Sequence, residues 1–409
     1  MEIIADFHIH SKFSRATSKD MDVDHLSKIA KIKGITLLGT GDFTHPQWFS
    51  ELKSKLEPSN SGIYSFEGVN FMLTVEVSNI YEKFGKLRRI HNVIFAPDLK
   101  IAKEINKALA EFGDLFLDGR PILKLDSKEM VKIILSISKD CLIVPAHIWT
   151  PWFGLLGSKT GFDSPEECFE EETENIYAME TGLSSDPAMN WRLSNLDRFS
   201  LISNSDAHSP LNIGREANVF DTELDYKKII EAIKSKDKNR FLYTIEFFPQ
   251  EGKYHYDGHR NCKECLSPKE SIKLNNICPK CHREVTIGVM HRVETLSDRE
   301  EGFTNDNFIP YKSLIPLREI IAGAKGIGVN SKTVDDEYKG LVGRFGSEFY
   351  ILLKMSEEDL RRFLPSKIAE GIIRVRGGNV NIHPGYDGEY GKIEIFSKDD
   401  KDELQLTLF

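Results

Sequence analysis

The chain has few cysteines, no long apolar run and no excess of basic charge. Six cysteines in 409 residues are too few for a disulfide scaffold and fit a reducing compartment. No apolar stretch reaches the ~18 residues of a membrane helix, and the N-terminus lacks the basic-then-apolar layout of a secretory leader. The expectation is a cytoplasmic monomer with no membrane partner. A formal charge of −9 argues against a uniformly basic nucleic-acid-binding surface. Acidic metal ligands and helix faces enter that total, however, so local distribution carries more weight. With 40% hydrophobic and 29% charged residues, the composition is that of an ordinary globular protein of about two or three domains.

What is present begins at once. Residues 1–4 are mostly apolar and read as a buried strand running into Ala5-Asp6-Phe7-His8-Ile9-His10. Strand side chains alternate faces, so Asp6, His8 and His10 share one. Two imidazoles and a carboxylate there suit a borderline divalent metal. The design recurs. Further apolar runs end in Asp42, Glu76, His147, Glu180 and Asp206-Ala207-His208, and His91 opens another. Helical patterns over 23–33, 102–112, 127–138 and 187–198 lie between several of these strands. Strands alternating with helices predict an α/β parallel sheet or barrel, with its site at the C-terminal strand ends. Each residue alone could be a cap, an ion-pair partner or a core histidine. Together, His8, His10, Asp42, Glu76, His91, His147, Asp206 and His208 predict a multinuclear metal site.

These residues, with Gly41 before Asp42 and Pro145-Ala146 before His147, resemble the PHP (polymerase and histidinol phosphatase) family of metal-dependent phosphoesterases. The resemblance covers about the first 235 residues and implies a distorted seven-stranded β/α barrel with a trinuclear centre. One position departs from it. The family's Thr-Asp-His is Gly41-Asp42-Phe43 here, so a third ion falls to His45 or to Asp42, and two or three divalent ions (Zn2+, Mg2+ or Mn2+) are expected. A metal lowers the pKa of bound water to about 7, and clustered metals neutralise a phosphate, so this ligand set points to phosphoester hydrolysis. His8, His10, Glu76 and Asp206 are the candidate catalytic residues, with Glu76 and Asp206 as candidate bridges. No serine or cysteine nucleophile need be invoked.

The Gly/Pro-rich loop after His147 carries Trp149, Trp152, Phe153 and Lys159. It reads either as a substrate-facing loop, with aromatics to stack on an extruded base and a lysine for phosphate, or as a loop packed onto the barrel. Glu180, opening a Thr-Gly-Leu-Ser-Ser-Asp stretch, is a candidate pocket residue.

Cys262-x-x-Cys265 and Cys278-x-x-Cys281, twelve residues apart, have the spacing of a closed structural Zn2+ site. Around them, eight basic residues (among them Lys253, Arg260, Lys280 and Arg292) outnumber four acidic ones between 252 and 293, a local patch suited to a phosphate backbone. Beyond lie helical patterns at 314–324, 357–363 and 367–371, then short strands and turns over 372–395. Arg374 and Arg376 alternate there with apolar residues, facing either phosphate or solvent. This order, with Pro384-Gly385-Tyr386-Asp387-Gly388, resembles the endonuclease Q family over essentially the whole chain. The resemblance implies a DNA repair nuclease cutting 5′ of a deaminated base (hypoxanthine, uracil, xanthine) or an abasic site. The expected organisation is a phosphoesterase domain at 1–240, a four-cysteine zinc module at 241–298, a DNA-binding helical and short-strand domain at 299–397, and a tail at 398–409. The tail ends in Gln405-Leu406-Thr407-Leu408-Phe409, similar to the bacterial peptide that docks in the sliding clamp. Gln405, Leu406, Leu408 and Phe409 would make that contact, unless they fold back on their own domain.

Two other functions compete: a small-molecule phosphatase of the histidinol-phosphatase kind, and a noncatalytic DNA-binding protein. The first gives no task to the cysteine module and C-terminal region. The second gives none to the full ligand set.

Overall fold

The computed structural model describes residues 2–397, so the clamp-like peptide at 405–409 and the rest of the 398–409 tail lie outside the described residues. Two compact units are present. The first comprises Met1–Lys31, Ile35–Ile245 and Val289–Tyr311, and the second comprises Ile32–Gly34, Glu246–Gly288 and the chain from Lys312 onward. No helix among the described residues is long and apolar enough to cross a membrane.

The first unit is mixed α/β. Its Glu2–Asp6 strand runs antiparallel to Ala217–Asp221, with Ala5 opposite Asn218, and parallel to Leu37–Gly39, with Asp6 opposite Leu38. Leu37–Gly39 continues parallel onto Val69–Lys83. A further antiparallel pair arises because Val69–Lys83 returns at once as Lys86–Ala96, with Lys83 opposite Lys86. The intervening Phe84 and Gly85 both have positive φ, 53° and 69°, the geometry of a two-residue type I′ hairpin, which leaves no room for a crossover helix. Leu142–Pro145 adds antiparallel to the far side of that hairpin, and Ala178–Glu180 pairs in parallel with Ser200–Ile202.

Alternation along the first strand decides what faces the core. Ile3, Ala5 and Phe7 enter one apolar cluster with Leu37, Met72 and Val144. Phe7 meets the edge of Phe95 at 5.3 Å between centroids, and full burial of such a ring contributes about 1.5–3 kcal/mol. Asp6, His8 and His10 take the intervening positions and are also buried. Asp98, Asp126 and Asp225 each cap a following helix, Leu99–Leu109, Ser127–Ile137 and Tyr226–Ser235, by accepting from a first-turn N–H. The helix expected over 187–198 shrinks to Pro187–Asn190 and a short turn at Ser194–Leu196. Asn190 is the reason: its amide donates to Ser185 Oγ and Asp186 O, and such local bonds compete with helix propagation.

In the second unit, the short hairpin Asp257–His259 and Glu264–Leu266 precedes helix Pro268–Lys273, which a Ser267/Glu270 capping box starts. Helices Leu317–Lys325, Lys332–Phe345, Glu357–Phe363 and Ser366–Arg376 follow. The expected strand at 372–376 is helical instead. Ile368, Ala369, Ile372 and Val375 form its buried face, so the apolar period there is 3.6 rather than 2. Arg376 donates to the carbonyls of Ile351, Leu352 and Met355, and Arg374 pairs with Glu370 at 2.5 Å. Both arginines hold the helices in place. Short strands appear later, at Asn381–His383 and Lys392–Glu394.

Candidate metal centres

The strand register builds the first centre. Glu76 lies opposite Val93, and Ser78 opposite His91, so Glu76 and His91 are diagonal neighbours on one face of the hairpin. His91 Nδ1 sits 2.6 Å from Glu76 Oε1, and His147 Nε2 sits 2.9 Å from that same oxygen. The other oxygen, Oε2, faces His10 Nε2 at 3.3 Å and His8 Nε2 at 3.5 Å. Asp206 Oδ1 completes that side, 2.9 Å from His10 Nε2. Two ligand groups result: His8, His10, Glu76 and Asp206, and Glu76, His91 and His147. Glu76 gives one oxygen to each.

A divalent cation fits here. His8 Nε2 is buried without a hydrogen-bond partner, which an uncharged interior tolerates poorly. The donor set, imidazole and carboxylate, is that of borderline metals. Charge argues the same way. Burial pulls His8 down, yet Glu180 and Glu76 hold it well above its ordinary pKa. Burial raises Glu76, but His91, Arg120 and His8 more than reverse this and hold it well below its own.

Each histidine of the pair is oriented from behind. His8 Nδ1 faces both oxygens of Glu180 at 3.0 Å, and His10 Nδ1 faces Asp42 Oδ1 at 3.2 Å. Such carboxylates fix the tautomer and ring angle of a ligating imidazole. They are themselves fully used. Glu180 also accepts from His147 N and Asn204 Nδ2, and Asp42 from Ser11 N, Ser11 Oγ and Ser14 Oγ. Asp42 therefore sits behind His10, outside both ligand groups, and Glu180, fully buried, sits behind His8. Asp6 likewise supports the loop that carries Asp206, accepting from Ser205 and Gly214. Asp42, His147 and Asp206 follow strand ends with φ of 46°, 31° and 48°, strained backbone of the kind that concentrates at functional sites.

The second centre forms within the cysteine module. His259, Cys262, Cys278 and Cys281 offer ligand atoms all within 4.8 Å of one another, with His259 Nδ1 3.3 Å from Cys281 Sγ. Burial pushes the Cys278 thiol up, but N–H groups of Cys281 and Lys280 more than offset it and bring it to about 7, favouring thiolate. The expected fourth cysteine is elsewhere. In the hairpin His259 lies opposite Glu264, and Gly258 opposite Cys265, so the pleat turns Cys265 to the other face. Its exposed Sγ lies 3.9 Å from Pro384 O.

The chain is similar to several known proteins. A family model, the MJ0043 C-terminal domain, matches residues 316–379. The uncharacterized protein YqxK of Bacillus subtilis is 30% identical over 412 residues, spanning 96% of this chain and 99% of that protein. The uncharacterized protein MJ0043 of Methanocaldococcus jannaschii is 34% identical over 258 residues; the match spans 61% of this chain but only 31% of that longer protein. The crystal structure of the lesion-specific endonuclease PfuEndoQ from Pyrococcus furiosus superposes with a TM-score of 0.87 at 31% identity, over 98% of this chain and 99% of that one. Endonuclease Q in complex with a 27-mer duplex substrate bearing an abasic lesion at its active site gives 0.85 at 32%, over 98% of each chain. The chain belongs to the endonuclease Q family.

Against this endonuclease Q framework, the remaining candidate residues divide. The His208 ring lies tilted against the His10 ring, 4.5 Å between centroids, but stays outside both ligand groups, and its Nδ1 faces Asp206 O. His45 stacks on Phe13 at 4.3 Å and joins neither group. Trp149 is buried with Nε1 donating to Asn190, so it packs the loop down. Phe153 covers His91, 4.4 Å between rings. Trp152 is half exposed beside the Arg89 guanidinium, and Lys159 is exposed. One residue escaped the sequence reading altogether. Arg120 Nη1 reaches Glu76 Oε2 at 3.1 Å from an irregular loop where no periodicity marks it.

Proposed function

We infer that this chain is a DNA repair endonuclease that hydrolyses the phosphodiester 5′ of a deaminated base (hypoxanthine, uracil or xanthine) or an abasic site. The observation that carries the reading is Glu76, whose two oxygens serve two ligand groups within one buried site. His8, His10, Glu76 and Asp206 would hold one divalent ion, and Glu76, His91 and His147 a second. Metals bound there would supply hydroxide at neutral pH and neutralise the phosphate. The chain's own residues do the rest. Glu180 and Asp42 lock the two imidazoles. Arg120, anchored on Glu76, presents a guanidinium to a phosphate oxygen. Trp152 offers a stacking face for a base leaving the helix.

The finer assignments belong to the same reading. The strands of the first unit are the staves of the family's distorted barrel, and residues 1–240 cut. His259, Cys262, Cys278 and Cys281 hold a structural zinc. Residues 299–397 grip DNA as a monomer in the cytoplasm, and the terminal Gln405–Phe409 peptide tethers the enzyme to the sliding clamp, raising its local concentration on DNA.

The test is cleavage of end-labelled duplexes carrying uracil, hypoxanthine or no lesion, by zinc-loaded protein supplied with Mg2+, Mn2+ or further Zn2+. A single nick 5′ of the lesion, absent from undamaged duplex, is expected. Glu76→Gln should slow it roughly a thousand-fold or more, because both ion sites lose an anionic ligand. Turnover of a generic phosphomonoester without any nicking would replace this reading with the phosphatase.

A further inference from the structure

Phe116 and Leu117 are 67% and 69% exposed, and they form the only adjacent pair of exposed large apolar residues among the described residues. Beyond an edge-on contact of Phe116 with the His45 ring at 6.3 Å, folding leaves most of both side chains in solvent, where they gain little of the stabilisation burial brings. The loop that carries them is nonetheless firmly built. Leu115 beneath is buried, as are Asp118 and Gly119 beyond. Asp114 Oδ1 accepts from Phe116 N, Asp118 Oδ1 accepts from the N–H groups of Arg15 and Arg120, and Gly119 N donates to Phe13 O at 3.1 Å.

The loop also touches the metal site. A Cβ on Gly119 would lie 2.1 Å from Asp42 Oδ2, so the backbone there abuts the carboxylate that orients His10. Three residues on from Leu117, Arg120 reaches Glu76 at 3.1 Å. Three residues span at most about 11 Å. Leu117 therefore lies within about 11 Å of Arg120 along the backbone, and Arg120 in turn holds the carboxylate shared by both ligand groups. Beside them an open cleft of about 740 Å³ is lined by Lys53, Lys103 and Lys107 with Phe116, against a single acid, Asp114. Its sign complements a phosphate backbone.

We propose that Phe116 and Leu117 are a wedge that enters the DNA duplex and fills the step a lesion vacates when it swings to the metal centre. The proposal rests on the lesion-endonuclease reading and names the residues that pay for duplex opening. Extruding a base costs a few kcal/mol of stacking and pairing. An apolar side chain driven between base steps stabilises the opened form. On a single strand there is no step to fill, so the wedge matters only for paired substrate.

The experiment compares cleavage of a uracil-containing strand, alone and annealed, by the wild-type protein and by Phe116→Ala/Leu117→Ala with Mg2+. Because both side chains are exposed, the variant should melt with the wild type. The ratio of duplex to single-strand rate is expected to fall about ten-fold or more. In parallel, 2-aminopurine placed next to the lesion should brighten on binding zinc-loaded protein slowed by Glu76→Gln, and not on binding the same protein carrying Phe116→Ala/Leu117→Ala as well. An unchanged ratio, or a ratio lowered by Trp152→Ala instead, overturns the wedge while leaving the endonuclease reading intact. Wild-type protein that cuts neither substrate overturns both.

Discussion

The two candidate metal centres are built in opposite ways. The first draws ligands from His8 to Asp206, and a large apolar core around Phe7, Phe95 and Phe220 fixes the strands that bear them. Glu180 and Asp42 then hold its imidazoles from behind. The second draws on residues 259–281 alone, around a cluster of just Leu266, Cys278 and Val285 as fully buried members. So small a core cannot offset chain entropy by itself. One centre is a site placed in a fold, whereas the other is a fold placed around a site. Metal removal should therefore silence the first unit and unfold the cysteine module.

The largest effects test that contrast. Cys278→Ser should lose one equivalent of zinc by elemental analysis and lower the melting of the second unit by ~10 °C or more, since the binding energy of such a site is folding energy. His259→Ala should lose the same equivalent, while Cys265→Ser should keep it and melt within about 2 °C of wild type. Zinc retained by His259→Ala but lost by Cys265→Ser would restore the four-cysteine arrangement. In the first unit, Asp42→Asn and Glu180→Gln should leave the ion count unchanged and weaken metal affinity about 10- to 100-fold, with little change in melting. A whole ion lost from Asp42→Asn would make Asp42 a ligand.

What the sequence made legible follows from the same contrast. His8, His10, Glu76, His91, His147 and Asp206 each border an apolar run, so strand periodicity marked them and the fold brought them together. Asp42 and Glu180 carried the same mark, but their roles depend on which ring nitrogen they meet, and no one-dimensional pattern holds that. Arg120, Phe116 and Leu117 lie in a loop without period or composition bias. His259 was hidden by symmetry. Cys262 has a possible ligand three positions away on either side, and the hairpin register, not the spacing, chooses between them. Arg374 and Arg376 misled because apolar residues two apart near a helix end also satisfy a 3.6 repeat with Ile368 and Ile372.

Buried carboxylates sharpen the comparison further, though with the smallest effect. In the first unit histidines and Arg120 surround Glu76 and hold its pKa down despite burial. In the second, burial pushes Glu251 up from 4.5 to about 8, and the charge of Glu319 adds to the rise. Between those two values the folded chain keeps a proton that the unfolded chain has released. The folded state then binds more protons, so stability falls as pH rises through that window and levels off above about pH 8. Glu251→Gln removes the titration. It should melt with wild type near pH 4.5 and about 2 °C above it at pH 8.5, read by scanning calorimetry on the zinc-loaded protein. Melting curves of the two proteins that stay parallel from pH 4.5 to 8.5 would mean that Glu251 is solvated and titrates in the folded chain as it does in the unfolded one.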